Sequence, residues 1–249
     1  MKQLSLLLAL TFGFLVGHAQ DKTTDVNVDE IIATYFENIG GAEKLSSLKN
    51  TRMEGKMTQM GMEFNGVVIQ AAPNKQRIEV DVQGMQIVQA YDGETAWWIN
   101  PFMGGTDPQP MPAEMAEEMT KQKFESELLN YKDKGHTLEY ISDQEVDGVK
   151  CHELKLTKKD GTEEFYYFDP EYMIPIMQKA FVQNGPSKGQ AAETYMSDYT
   201  EVNGLMFPMH IETRVGGVAQ FVLSITKVEM DVELDDHIFA LPEATDGKD

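Results

Sequence analysis

Hydrophobic and polar residues alternate along most of the chain after Thr51, and short turn sequences separate the alternating segments. A period of two predicts β-strands with one buried face. Turn dipeptides such as Asp92-Gly93 and Asn203-Gly204 lie between these segments, and they favour hairpins over parallel crossovers. The pattern predicts strands at 51–60, 63–72, 75–82, 84–91, 95–99, 137–146, 149–158, 162–169, 173–183, 190–202, 205–215 and 217–230.

Two segments follow a helical period instead. Asn27 and Glu30 have the form of a capping box, and apolar residues then recur at helical spacing as far as Gly40-Gly41. A second helix is predicted near 112–131, after a Pro-rich stretch. Its apolar face would consist of Met111, Met115, Met119, Phe124, Leu128 and Tyr131.

Each helix needs an apolar surface to cover, and a sheet of this many strands must curl. We therefore expect an α+β fold in which a strongly curved antiparallel sheet forms an incomplete β-barrel, with the helices covering its concave face.

The first residues predict export. A run of 13 apolar or small residues (4 to 16) follows Met1-Lys2-Gln3 and leads to Gly17-His18-Ala19. This pattern is typical of a signal peptide at 1–19, cleaved after Ala19. The run falls short of the roughly 20 residues that span a bilayer. We expect residues 20–249 to form one domain.

The net charge limits the classes of binding partner, and the cysteine content limits the possible disulfide bonds. The formal net charge is −20, which disfavours nucleic acid and anionic lipid headgroups on electrostatic grounds. Any contact with lipid must then be made through apolar surface. Cys151 is the single cysteine, so an internal disulfide is excluded, and its strand context predicts a buried thiol.

The segment from Asp92 to Phe102, with sequence DGETAWWINPF, resembles a hairpin and loop of the LolA family, the periplasmic carriers of outer-membrane lipoproteins. Pro73 before an arginine-containing strand and the final Phe-x-x-Pro at Phe239 to Pro242 also resemble that family. The resemblance implies a non-enzymatic periplasmic carrier whose apolar cavity binds the acyl chains of lipoproteins or free lipid. Membrane donor and acceptor proteins would be further partners, and we expect a monomer.

One departure concerns gating. Family carriers have an arginine immediately before the proline that corresponds to Pro73, whereas this chain has Ala72. The family's gating mechanism therefore does not transfer. Arg77 lies four residues after Pro73 and is a candidate substitute at the rim.

The candidate cavity residues are the apolar positions of the early strands and of the second helix. The chain contains 16 methionines, and many of them lie between Met53 and Met119. The flexible thioether side chain suits a cavity that adapts to cargo, although it also suits an ordinary hydrophobic core. Alternation with Thr95 and Ile99 favours Trp97 in the cavity and Trp98 on the convex face, and the equally good alternative is that both rings are ordinary packing residues. The predicted lining consists of Phe64, Ile78, Val80, Ile87, Trp97, Ile99, Met115, Met119, Phe124 and Leu128, with Phe102, Met103 and Arg77 at the rim.

The groups of residues in the sequence that could form a catalytic site are weak candidates. Cys151 and His152 are adjacent on a predicted strand and should point apart. His210 and Glu212 could face one metal ion, but a third ligand is not evident, and a half-exposed strand with polar residues at alternate positions is the better explanation. No phosphate loop, Gly-x-Ser-x-Gly or His-Glu-x-x-His motif occurs in the sequence. We expect no enzyme, no cofactor and no metal. The alternative to a carrier is a lipid-sensing or regulatory protein-binding module of the cell envelope.

Overall fold

The computed structural model describes residues 26–59 and 61–242. The predicted signal peptide and the residues after 242 lie outside this range. Three α-helices are present in the described residues: α1 (Val28–Asn38), α2 (Ala42–Ser47) and α3 (Ala113–Lys121). None of the helices in these residues is long and apolar enough to cross a membrane.

The strands form one antiparallel sheet. In chain order they are β1 (Asn50–Gln59), β2 (Met62–Ala71), β3 (Lys75–Val82), β4 (Met85–Tyr91), β5 (Ala96–Asn100), β6 (Gly105–Pro110), β7 (Thr137–Val146), β8 (Val149–Thr157), β9 (Glu163–Asp169), β10 (Ile174–Phe181), β11 (Ala191–Val202), β12 (Leu205–Val215) and β13 (Val218–Met230).

The sheet is ordered β6-β5-β4-β3-β2-β1-β13-β12-β11-β10-β9-β8-β7 and does not close between β6 and β7. Every neighbouring pair is antiparallel, as the hairpin turns predict. The predicted α+β half-barrel is therefore confirmed. The final strand β13 pairs with β1 on one side and with β12 on the other, and it thereby joins strands β1 to β6 to strands β7 to β12.

The helix α1 begins where the sequence predicts. The side-chain oxygen of Asn27 accepts hydrogen bonds from the backbone N–H of Asp29 (3.1 Å) and Glu30 (3.3 Å). These bonds satisfy two of the orphan donors of the first turn. The buried face of α1 packs on β8 and β9, where Tyr35 meets Phe168 edge to face at 5.6 Å.

The second predicted helix is shorter than expected. Helix α3 ends at Lys121, and residues 122–135 form a chain of turns without a regular helix. Leu128 and Leu129 from this segment are buried under α1 rather than continuing the face of α3. The apolar spacing therefore correctly predicted that Leu128 is buried, but it wrongly predicted that residues 122–131 are helical. Helix α3 lies beside β5, so the chain must turn after it to bring Leu128 and Leu129 toward the opposite edge of the sheet, under α1.

The Pro-rich stretch also contains an element that the sequence pattern does not predict. Residues 105–110 form the edge strand β6, which pairs with β5 on one side only. Proline cannot donate to a ladder, so an edge strand is where Pro108 and Pro110 are tolerated.

Candidate functional site

Helices α1 and α3 lie on the same face of the sheet. Trp98 packs against α3. It begins a row of directly paired residues that crosses the sheet through Gln89, Ile78, Val68 and Met53 to Val228. Directly paired residues of antiparallel strands point to one side. A second row of paired residues runs from Met57 through Leu223 and Ile211 to Met196 on β11. Thr194 lies on the same side of β11 as Met196, and it is paired through Gln178 with Tyr166, which packs under α1. This shared side is the concave face.

The centre of the concave face is apolar and is left uncovered by the helices. Its buried residues are Met57, Leu223, Ile225 and Val228, and they pack with other side chains of β1, β2, β3, β11, β12 and β13. Within the described residues, this cluster takes none of its members from a helix. We call it the central wall. It consists of Met53, Met57, Val68, Ile78, Val80, Val202, Phe207, Met209, Ile211, Phe221, Leu223, Ile225, Val228 and Met230.

Most side chains of the central wall are only partly buried. Ile78, Val80 and Ile211 belong to this group, as do Phe64 and Ile87, which are paired with wall residues. A group of apolar side chains left partly exposed together on one face is typical of a binding site or an interface. The convex side of the same strands is charged, with Arg52 bonded to Glu54 and Glu229. On the convex side of these strands, apolar side chains such as Ile69 pack under the C-terminal segment.

A deep cleft adjoins the wall. It has a volume of about 1210 Å³ and lies between the segment 117–128 and strands β9 to β12. Tyr35, Leu128, Met196 and Met206 contribute apolar surface to it. Charged side chains such as Lys121, Glu125 and Lys158 also line it, so the cleft is more polar than the wall.

Hydrogen bonds tie the helices to one end of the sheet. Met206 donates from its backbone N–H to the carbonyl of Ile39 at 3.0 Å. Gln76, which is buried, donates from its side-chain amide to the carbonyl of Met119 at 3.1 Å, and this bond holds the last turn of α3. Gly40 allows the close approach of α1 to the β11–β12 turn, because a Cβ atom there would lie 2.1 Å from the Gly204 carbonyl oxygen.

The predicted orientation of the tryptophans is wrong. Trp98 lies under α3 with Tyr91, Met111 and Met119. Trp97 lies on the convex face with Val88, Ala90 and Ile99, and its indole N–H donates to the carbonyl of Phe239 at 2.7 Å. Alternation within β5 shows only that the rings point apart. The C-terminal segment, which covers the convex face here, decides which ring goes where.

The other predicted lining residues separate into groups. Phe64, Ile78, Val80 and Ile87 come together on the concave face, as the register shows. Met119 is buried against Trp98, Met115 is exposed on the outside of α3, and Leu128 is buried beneath α1. Phe124 is partly buried and donates from its backbone N–H to Pro73 at 3.4 Å.

Two predicted rim residues are at the surface and the third is not. Phe102 and Met103 are exposed in the β5–β6 turn. Arg77 lies on the convex face, stacks over Trp97 at 5.5 Å and donates to the carbonyl of Ile238 at 2.7 Å. It therefore anchors the C-terminal segment and is not part of a rim.

The wall residues of β12 and β13 were missed from the sequence. Phe221, Leu223 and Ile225 alternate with less apolar residues, so the pattern marks one buried face. It does not show that β13 returns to pair with β1, and only this pairing places these residues beside Met53 and Met57.

The weak catalytic candidates have structural partners. Cys151 is buried, and this burial raises the pKa of its thiol to about 11. His152 is 2.7 Å from Asp143 through its Nδ1 atom. Glu212 pairs with Arg214 at 2.7 Å, and His210 lies 3.3 Å from the Ser224 hydroxyl. Groups of metal-ligating side chains able to hold an ion are not found in the described part of the chain.

No protein-family model matches the sequence, and no curated protein matches it. Solved structures do match. A DUF1329 family protein of Desulfovibrio piger has a TM-score of 0.55 at 11% identity, covering 86% of this chain and 97% of its own. A LolA superfamily protein of Nitrosomonas europaea has a TM-score of 0.54 at 12% identity, with 86% of this chain and 98% of that chain covered.

A third structure is a domain of Vibrio parahaemolyticus described as an outer membrane lipoprotein-sorting protein domain. It has a TM-score of 0.53 at 9% identity and covers 84% of this chain and 94% of its own. At such low identity the likeness concerns the fold. The chain therefore has a half-barrel fold similar to that of the LolA superfamily protein.

Proposed function

We propose that the protein is a non-enzymatic periplasmic carrier that binds the acyl chains of lipoproteins on the central wall. The observation that carries the proposal is the uncovered apolar centre of the concave face. Helices cover that face only toward its two edges, where α3 packs beside β5 and α1 packs on β8 and β9. Apolar side chains such as Ile78 and Ile211 are left partly exposed between them.

The energetics suit acyl chains. Each methylene that leaves water contributes about 0.8 kcal/mol, so a ten-carbon segment contributes roughly 8 kcal/mol before ordering costs. No charged anchor is needed for such binding. Methionines at positions 53, 57 and 209 supply flexible side chains that can repack around a disordered chain.

The fold and the expected export signal support the cargo and the location. The similar structures include a LolA superfamily protein and a domain described in terms of lipoprotein sorting. Residues 1–19 have the pattern of a signal peptide. In this proposal residues 20–249 form a single lipid-binding domain of the periplasm. Membrane proteins would serve as its donor and acceptor.

Adjacent residues of β4 provide a matched pair of variants. Ile87 is partly buried on the concave face, whereas Gln86 is exposed on the convex face. The variant Ile87→Lys places an ammonium group beside the wall residue Val80, with which Ile87 is paired, and acyl binding there would desolvate it. Gln86→Lys adds the same charge one residue away on the outside.

Native mass spectrometry with a triacylated lipopeptide tests the proposal. We expect wild type and Gln86→Lys to bind with equal affinity and Ile87→Lys to bind at least about tenfold more weakly. Circular dichroism and thermal unfolding report whether each variant is folded. Absence of lipopeptide binding by the wild type, or equal binding by both variants, would contradict the proposal. Binding of a single-chain lipid but not of the lipopeptide would redirect it to free lipid.

A further inference from the structure

Four hairpin turns lie side by side at one end of the sheet. They are the β1–β2, β3–β4, β5–β6 and β12–β13 turns. The register places them together, because Gln59 pairs with both Met62 and Phe221, and Val82 pairs with Met85. The strands concerned, β6 to β1 with β13 and β12, are consecutive in the sheet. We call these four turns the apolar rim, and in the described part of the chain they comprise residues 58–59, 61–62, 82–86, 100–106 and 215–221.

The apolar rim contains no charged residue in its sequence. This is unusual in a chain in which 25% of residues are charged and the net charge is −20. Charges begin immediately outside the rim, at Glu63, Asp81, Asp107 and Arg214. A turn at the opposite end of the same strands, 92–95, carries Asp92 and Glu94. Two further turns at the same end as the rim, 158–162 and 182–190, carry Lys158, Lys159, Asp160 and Lys188. The uncharged stretch is therefore confined to the four adjacent turns of the rim.

Exposed apolar side chains concentrate on this rim. Nine large hydrophobic residues are exposed in the described part of the chain, and five of them belong to the rim: Met62, Met85, Phe102, Met103 and Val218. Met103 is 73% exposed and Val218 is 61% exposed. Hairpin tips of soluble proteins are ordinarily polar, so folding alone gives no reason for these side chains.

The longest turn holds its apolar residues outward. The Asn100 side chain accepts a hydrogen bond from the Phe102 backbone N–H at 3.0 Å, and the Asn100 carbonyl accepts one from Gly104 at 2.8 Å. Gln109 donates to the Gly104 carbonyl from the neighbouring strand. These bonds satisfy the backbone N–H groups of Phe102 and Gly104 and the carbonyls of Asn100 and Gly104. The exposed tip can then enter an apolar medium at little cost in unpaired backbone groups.

We propose that the apolar rim is a membrane-contact surface that inserts its side chains into the interface of a lipid bilayer. The proposal rests on the carrier function for its purpose, but it uses residues outside the central wall. A rim of uncharged hairpin tips can enter the headgroup region without desolvating any charge. The wall strands β1, β3, β12 and β13 end at the rim, so an acyl chain could pass between bilayer and wall with little exposure to water.

The charge distribution specifies the kind of membrane surface. Interfacial proteins that rely on anionic lipids carry basic residues beside their apolar ones. Arg214 is the basic residue that borders the rim, and its guanidinium is paired with Glu212. The net charge of −20 is repelled by anionic lipid. The rim therefore fits a zwitterionic bilayer surface, bound through apolar burial and not through headgroup charge.

Vesicle flotation with the full mature chain tests this inference. The probe is phosphatidylcholine vesicles, compared with vesicles that also contain phosphatidylglycerol. The rim variant is Phe102→Ser combined with Met103→Ser. The control is Tyr172→Ser, which removes an exposed aromatic ring from the β9–β10 turn at the other end of the sheet.

We expect the wild type and Tyr172→Ser to float with phosphatidylcholine vesicles, and the rim variant to partition about tenfold less. Phosphatidylglycerol should weaken wild-type flotation at low salt. Absence of flotation, equal flotation of the rim variant, or binding that requires phosphatidylglycerol would overturn the inference. Lipopeptide affinity measured on the same rim variant separates the two proposals, because it should stay unchanged even if flotation fails.

Discussion

At the scale of single residues, the two tryptophans of β5 stabilise different layers of the molecule. Trp98 supports α3 through Met111 and Met119, whereas Trp97 is 1% exposed on the convex face and is bonded to the C-terminal segment. The Asp92-to-Phe102 motif thus has a structural role on both faces. Its aromatic pair belongs to the packing of the fold, and the central wall is built from aliphatic residues, methionines and two phenylalanines on other strands.

Asp143 offers a residue-level prediction about pH. Its carboxylate bonds to His152 at 2.7 Å, to Tyr140 at 2.9 Å and to Lys150 at 3.1 Å, and the His152 bond is the main reason why the Asp143 pKa falls from 3.8 to about 2. A carboxyl group whose pKa is lower in the folded state stabilises the protein above its unfolded-state pKa. That contribution disappears as pH falls from 3.8 toward about 2.

We therefore expect Asp143→Asn to lower the free energy of unfolding at neutral pH and to match the wild type near pH 2, its folded-state pKa. Urea unfolding at a series of pH values measures this. His152→Gln should show a similar loss of acid sensitivity, because it removes the main partner. A constant difference between wild type and Asp143→Asn across the whole pH range would refute the assignment.

At the scale of elements, the C-terminal segment acts as a strap across the convex face. After β13 it runs over β2 to β5, with the side chain of Phe239 buried against Ile69 and Ala71. Asn50 donates from its side-chain amide to the Val232 carbonyl at 3.0 Å, and Arg77 donates to Ile238 at 2.7 Å. These contacts give the final Phe-x-x-Pro motif a structural reason, since its phenylalanine fills a gap on the outside of the sheet.

The strap predicts a large effect of one truncation. Phe239 has no exposed surface, so Phe239→Ala should destabilise the protein by about 3–5 kcal/mol through lost burial and a residual cavity. Chemical denaturation measures the change. His237→Ala, an exposed substitution in the short 3-10 helix Asp236–Ile238, is the control and should have little effect. Equal stability of the two variants would show that the strap does not contribute to the fold.

At the scale of the whole molecule, charge and apolar surface are separated. Ion pairs such as Arg52–Glu229 and Arg77–Glu79 decorate the convex face, while the concave centre is apolar. Under the proposed carrier function, this separation would let a chain of net charge −20 be repelled by anionic surfaces and still bind lipid tails.

The separation predicts how cargo affinity depends on headgroup and salt. Lysophosphatidylcholine should bind more tightly than lysophosphatidylglycerol with the same acyl chain, because the net negative field opposes an anionic headgroup. The difference should shrink with added salt, since the screening length is about 10 Å at 0.1 M and about 3 Å at 1 M. Native mass spectrometry or calorimetry at two salt concentrations measures both effects. A preference for the anionic lipid would contradict this view of the site.

Much of the fold follows from local pattern. Alternation and turn dipeptides predicted twelve of the strands that the structure contains, and Asn27 marked the start of α1. The site was less accessible. Phe64, Ile78, Val80 and Ile87 were found because they alternate on neighbouring hairpins, whereas Trp97 and Ile99 were assigned to the wrong face. The strand β6 was missed because its prolines and glycines have the composition of a loop.

The amino-acid sequence alone determined the class of fold, the hairpin order and the charge balance, because these depend on near neighbours along the chain. Tertiary structure alone decided which face became the cavity. Closure of β13 onto β1 joins residues about 170 positions apart, such as Met53 and Val228. The strap then covers the convex face and buries Trp97. Both are long-range pairings, and the side-chain period of a strand has no information about which of its two faces such a partner will cover.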